Sequence, residues 1–327
     1  MSASSSSYGT VDEESHELLE KSTERESPAR SSGVAWSTRV VVAVLCIISL
    51  GVLISSAGRD MSELSKKSEL ATASVAKPNV IFVMVDDAGW ADFGYHSTDL
   101  KYATPNIDRL SAGGVRIENY YTDTVCTPSR ASFLTGKSTL KTGMWYTLID
   151  VVSEWGLDES FSTIGNFFKN GGYYTAAVGK WHVGHWKESM WPTNRGFDTY
   201  LGVIGSQLCD YTDWTYCNPD VNVPFILDAS ADMEPSRETP GTYSTYVMRD
   251  KALDIINTRG AKGETDGLFM YLAFNAMHDR LTVPEEFKLT PKWEALGTVH
   301  GKELSDKRHL AAGCQYLMDE AVGMIVD

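Results

Sequence analysis

Cys126, Pro128 and Arg130 stand in the run Cys-Thr-Pro-Ser-Arg-Ala-Ser-Phe-Leu-Thr-Gly-Lys, residues 126–137. Proline fixes φ near the helical value and has no N–H to lose, so Pro128 suits a first helical turn. Thr127 is expected to cap that helix. Gly136 is expected to end it after Phe133 and Leu134 have packed inward. Cys126 then falls just ahead of a helix N-terminus, where free N–H groups and the dipole favour an anion or a developing oxyanion. Arg130 lies one turn in, placed to brace a nucleophile or an anionic group. A short pattern of this kind also describes a buried cysteine before an ordinary capped helix.

Five further positions carry groups that such chemistry uses. Asp86 and Asp87 are adjacent carboxylates, and a hard divalent cation with oxygen ligands would relieve their repulsion. Lys180, His182 and His278 supply a cation and two groups that titrate near neutral pH. Each alone has a bland reading as a solvated loop acid, a surface lysine or a core histidine.

The elements that must position them are legible as apolar runs. Asn79–Val85 reads as a fully buried parallel strand that stops at Asp86. Tyr173–Val178 reads as another, ending at Gly179-Lys180-Trp181-His182. Leu268–Phe274 is a third, followed by Asn275 and His278. Helical segments lie between them: Thr104-Pro105 to about Gly113, Ser162 as cap to about Gly171, and Ser244 as cap to about Thr258. Strands alternating with helices predict a doubly wound α/β fold with a mostly parallel sheet and helices on both faces. Ligands bind at the carboxyl ends of strands in such sheets, and all five residues fall at or just beyond those ends.

The run through Gly136 resembles the C-x-P-S-R motif of the sulfatase family, within the alkaline-phosphatase-like superfamily. Pro78–Asp87, Thr104-Pro105-Asn106, Gly179–Gly184, Arg195-Gly196-Phe197-Asp198 and Met318–Gly323 are similar to further motifs of that family, so the resemblance covers nearly all of 78–327. The arylsulfatase B, or N-acetylgalactosamine-4-sulfatase, type looks nearest. The resemblance implies that a formylglycine-generating enzyme oxidises Cys126, and that the hydrated aldehyde attacks a sulfate ester. It implies that Asp86, Asp87 and the modified Cys126 bind Ca²⁺, and that Arg130 steadies the hydrate. Lys180 and His182 would contact sulfate or hydrate oxygens, and His278 would help protonate the leaving alcohol. The substrate would be a sulfated carbohydrate or an aryl sulfate.

The same resemblance brings a departure. The family's Asp-Asn metal ligands, the lysine after them and a smaller C-terminal domain have no counterpart here. The expected sheet is therefore incomplete at the C-terminus, the chain reads as a fragment of a longer enzyme, and activity of this chain by itself is not expected. Two rival functions stay open. One is a phosphodiesterase or phosphonate hydrolase of the same superfamily, and the other an inactive relic that holds sulfated glycans.

The 327-residue chain divides into four expected regions, with a net charge of −14 overall. Residues 1–38 are rich in Ser and Glu and read as a disordered tail. Residues 39–59 read as a transmembrane signal anchor, because Val40–Gly58 carries no charge and is long enough to cross a bilayer as a helix. Residues 60–77 read as a polar stalk, and 78–327 as the N-terminal part of a catalytic domain. Flanking basic residues are balanced and do not set the orientation. The resemblance sets it, since eukaryotic formylglycine formation is lumenal. A single-pass membrane protein follows, with a cytosolic N-terminus and a lumenal or extracellular catalytic part. Tyr8-Gly9-Thr10-Val11 and Glu14 with Leu18-Leu19 look like endosomal or lysosomal sorting signals. In an oxidising lumen Cys209 and Cys217 are expected to form a disulfide, leaving Cys314 buried or paired elsewhere. The acidic balance offers no surface for nucleic acid.

Overall fold

The computed structural model describes residues 77–150, 152–205, 211–212, 226–229, 234–235 and 241–327. The tail, the anchor at 39–59, most of the stalk and the Cys209–Cys217 pair lie outside the described residues. Among those residues no helix is long and apolar enough to cross a membrane.

Six strands form the main sheet: β1 (Val80–Val85), β2 (Tyr174–Gly179), β3 (Thr199–Val203), β4 (Ile226–Ala229), β5 (Glu234–Pro235) and β6 (Leu268–Phe274). Their spatial order is β1-β6-β2-β3-β4-β5. The first four in that order run parallel, while β4 and β5 are antiparallel additions. Every residue of β6 is buried. Successive side chains in a strand face opposite sides, so both faces of the sheet are covered at its centre. β1 is less enclosed, with all six residues half-buried, and it forms one edge of the sheet among the described residues.

Five helices matter to the site: α1 (Pro105–Gly113), α2 (Cys126–Thr135), α3 (Ile164–Asn170), α4 (Ser244–Lys262) and α5 (Asp306–Val326). Three start differently from the sequence expectation. α2 begins at Cys126 itself, after Val125, and receives no side-chain cap. Thr127 is therefore inside the first turn, and its hydroxyl goes to a neighbouring strand end instead. In α3 the cap is Thr163 rather than Ser162; its hydroxyl accepts from Asn166 N while Asn166 Oδ1 accepts from Thr163 N. In α4 Ser244 is the first helical residue and Tyr243 precedes it. That helix also runs past Thr258, to the left-handed Gly263.

Two aromatic contacts fasten the elements that matter most. Phe82 of β1 stacks on Phe133 of α2 with ring centres 3.8 Å apart. Tyr271 of β6 lies 5.8 Å from the same Phe133 ring. Pairs of this kind add about 0.5–1.5 kcal/mol beyond their burial. They hold the C-terminal half of α2 against the middle of β1 and β6.

The motifs near 195 and 319 prove to be joints. Gly196 has φ 93°, and a Cβ there would meet Asn166 N at 2.2 Å, so only glycine fits. The buried Arg195 beside it donates to the carbonyl of Phe161. Asp319 of α5 is fully buried and accepts from Asn106 N and Ile107 N. It thus supplies from another helix the cap that Thr104 does not give to α1.

Candidate active site

Three strand ends and one helix start meet around Asp86. The ladder between β1 and β6 continues past the strands, with Asp86 N donating to Ala276 O and Met277 N donating to Asp86 O. This lacing carries the 275–278 loop against the end of β1. Lys180 N donates to Ala273 O, which brings the end of β2 alongside. Gly179 before it has φ 106°, and a Cβ would lie 1.9 Å from Ala273 O, so the close approach requires glycine.

Asp86 is the hub. Its Oδ1 accepts from Arg130 Nη2 at 3.0 Å and its Oδ2 from Lys180 Nζ at 2.7 Å. Cys126 Sγ approaches the same Oδ1 at 3.6 Å. The side chains of Arg130, Lys180 and Asp86 are all almost fully buried. Burial alone would raise the Asp86 carboxyl, but Lys180 and Arg130 outweigh it and hold it well below the usual carboxylate range. Burial likewise works against the Arg130 guanidinium, yet Tyr271 and Asp86 beside it more than offset that. Arg130 Nη1 also donates to Lys180 O and to the Tyr271 hydroxyl. One arginine thus braces both α2 and the end of β2.

His278 and Asp87 form the open side. His278 Nε2 lies 3.6 Å from Asp87 Oδ2, and half of the Asp87 side chain is exposed. Burial pulls the His278 pKa down, but its hydrogen bond with Cys126 and the Asp86 charge carry it above the ordinary histidine value. Asp86, Cys126 and His278 offer ligand atoms within 4.8 Å of one another.

His182 is placed differently. Its ring points to Ile149 O, with Nε2 at 2.8 Å, while Nδ1 is buried without a hydrogen-bond partner. Burial, reinforced by Lys180, drives its pKa well below 6.5, so the ring is neutral at physiological pH. Asp87 and His182 both adopt the left-handed backbone, with φ 55° and 57°. Such non-glycine residues are uncommon and concentrate where a backbone is constrained for function.

The structure therefore brings Asp86, Cys126, Arg130, Lys180 and His278 into one cluster, with Asp87 at its rim and His182 behind it. Sequence reasoning missed Tyr271 and Tyr211, and it gave Thr127 only a capping role. Tyr271 was signalled by its place in an otherwise apolar buried strand, where a phenol needs a partner. Thr127 accepts from Ile149 N and donates to His182 O, a bridge that no local pattern encodes. Tyr211 donates to the carbonyls of Asn275 and His278, fixing the loop that carries the histidine.

Among the described residues, the clustered donors do not complete a Ca²⁺ site. Calcium takes about six to eight oxygens. Both oxygens of Asp86 are engaged by cations, and the other clustered donors are a thiol and an imidazole.

A family model described as Sulfatase matches residues 78–327. Arylsulfatase J of Mus musculus is 32% identical over 273 residues, spanning 80% of this chain and 44% of that protein. Arylsulfatase G of Mus musculus is 37% identical over 230 residues, 63% of this chain and 42% of that protein. Human N-acetylgalactosamine-6-sulfatase is 29% identical over 224 residues, 64% of this chain and 41% of that protein. The crystal structure of Ps i-CgsB in complex with k-i-k-neocarrahexaose superposes with a TM-score of 0.65 at 27% identity, covering 76% of this chain and 54% of that one. The chain spans less than half the length of each of these three curated relatives.

Proposed function

Because the chain belongs to the sulfatase family, we propose that it carries the front part of a sulfuric ester hydrolase whose reacting group is made from Cys126. The observation that carries this reading is the placing of Cys126 at the first residue of α2, 3.6 Å from Asp86, with Lys180, Arg130 and His278 around it. A hydrated formylglycine at 126 would supply an oxygen nucleophile toward sulfur. Lys180 and Arg130, themselves shielded from water, offset the negative charge of the sulfuryl oxygens. His278 faces solvent on one side and Cys126 on the other, and gives a proton to the departing alcohol oxygen. His182 is neutral and holds Ile149, so its part is to position the loop above the nucleophile. Ca²⁺ would need oxygen donors beyond the described residues, and no step here depends on it.

The substrate class is a sulfated carbohydrate, in keeping with relatives named for N-acetylgalactosamine-6-sulfate chemistry. The catalytic part is lumenal or extracellular, held by one membrane helix with a cytosolic tail. The uncharged stretch Val40–Gly58 and the lumenal site of formylglycine formation support that placement.

Mass spectrometry of the peptide containing Cys126, from protein made in a eukaryotic secretory pathway, tests the reading. Conversion to formylglycine is expected, and unmodified cysteine throughout would leave a glycan-binding relic as the better account. A longer chain that extends through the missing ligands is expected to turn over an aryl sulfate faster than an aryl phosphodiester. The reverse preference would make it a phosphodiesterase.

A further inference from the structure

The segment Met144–Ile149 is anchored at both ends and bare in the middle. Met144 is 2% exposed and Ile149 is fully buried. Between them Trp145 is 57% exposed and Tyr146 77%. The two rings meet edge to face, with centres 5.4 Å apart at 67°, so the edge of one braces the other and each leaves a face to solvent. Large aromatic side chains bury well, and a bare pair on a pinned loop offers a flat apolar face in a fixed place.

The pin leads straight to the reacting group. Ile149 N donates to the Thr127 hydroxyl at 3.2 Å, and Ile149 O lies 2.8 Å from His182 Nε2. Thr127 follows Cys126 in the first turn of α2. Trp145 lies four positions before Ile149, and an extended chain of four steps reaches at most about 14 Å. With the step across to Thr127 and back to Cys126 added, the two rings stand no more than roughly 25 Å from Cys126. A pyranose ring offers an apolar C–H face and polar edges, and an exposed aromatic face takes the former while leaving the latter in water. A sulfate contact alone would not distinguish one sugar from another, because it is made by the buried cations. The aromatic pair adds recognition of the ring.

We propose that Trp145 and Tyr146 are a stacking platform for a sugar ring of the substrate, and that they set its carbohydrate specificity. This rests on the sulfated-carbohydrate reading above. The platform acts on binding rather than on the bond-breaking step.

Isothermal titration of the chain tests it, with inorganic sulfate and with sulfated disaccharides cut from chondroitin sulfate and from carrageenan as probes. Trp145→Ala and Tyr146→Ala are expected to weaken disaccharide binding about tenfold and to change sulfate binding less than twofold. Trp145→Phe, which keeps a flat face, is expected to recover most of the loss. Near-ultraviolet circular dichroism confirms that the variants remain folded. Disaccharide binding unchanged in both alanine variants overturns the platform and leaves the sulfate-ester reading intact. Wild-type binding of sulfate without either disaccharide also overturns it. Wild-type binding of none of the probes removes the sulfated-carbohydrate reading, and the platform with it.

Discussion

Asp86 shows how much one residue can organise. Its two oxygens are shared between cations from α2 and from the end of β2, so it fixes Arg130 and Lys180 relative to Cys126. The candidate site was largely legible at this scale. Asp86, Cys126, Arg130, Lys180 and His278 were each marked by residue type at a strand or helix end. His182 was marked too, but its ring serves a loop carbonyl, and only the fold reveals where a side chain points. Cys314 is the contrasting case of a thiol with no chemistry. Burial pushes it up to about 12, and its Sγ donates to Thr282 O. A thiolate is the reactive form, so Cys314 is expected to resist alkylation at pH 8 in the folded protein and to react once denaturant opens it. Peptide mapping after iodoacetamide treatment reads this directly, and rapid labelling of the native protein would show the thiol to be accessible.

Among the elements, α5 acts as a strut behind the site. Its Asp319 caps α1, and a Cβ on its Gly323 would meet Asn106 Cγ at 2.5 Å, so the two helices touch closely there. Replacing Asp319 by Ala is expected to cost about 1–3 kcal/mol, because it leaves two buried donors unmet. Denaturant titration measures it, and a loss under about 0.5 kcal/mol would mean that water replaces the cap. Arg308 of the same helix grips Asp99 with two nitrogens and Asp92 with a third, holding the loop that follows Asp87. The Arg308 hydrogen bonds lower the Asp99 pKa to about 2. A carboxyl depressed on folding contributes stability above its unfolded value of about 3.9, and loses it as pH falls toward the folded value. Melting temperature is therefore expected to drop between about pH 4 and pH 2 less steeply in Asp99→Asn than in the wild type. Identical slopes would show that the pair contributes nothing.

Over the whole molecule, strand identity and direction followed from three apolar runs, because a buried parallel strand needs little more than continuous apolar sequence. The order of strands did not follow. β6 sits between β1 and β2 although it comes last, and nothing local in Leu268–Phe274 records its neighbours. The parallel β3 and the antiparallel β4 and β5 were also missed, since none is a long apolar run. Helix starts were the weakest readings. At Thr127 and Ser244 a good capping residue was spent on a tertiary contact or displaced by one turn position, which propensity cannot foresee.

The position of β6 also has a consequence in time. Arg130 waits for Tyr271, 141 residues later in the chain, before its hydrogen bonds are complete. At a synthesis rate of about 5–20 residues per second, roughly 7–28 s separate the two as the chain emerges. Throughout that interval the strand order around Cys126 is incomplete, because the strand that will lie between β1 and β2 has not yet been made.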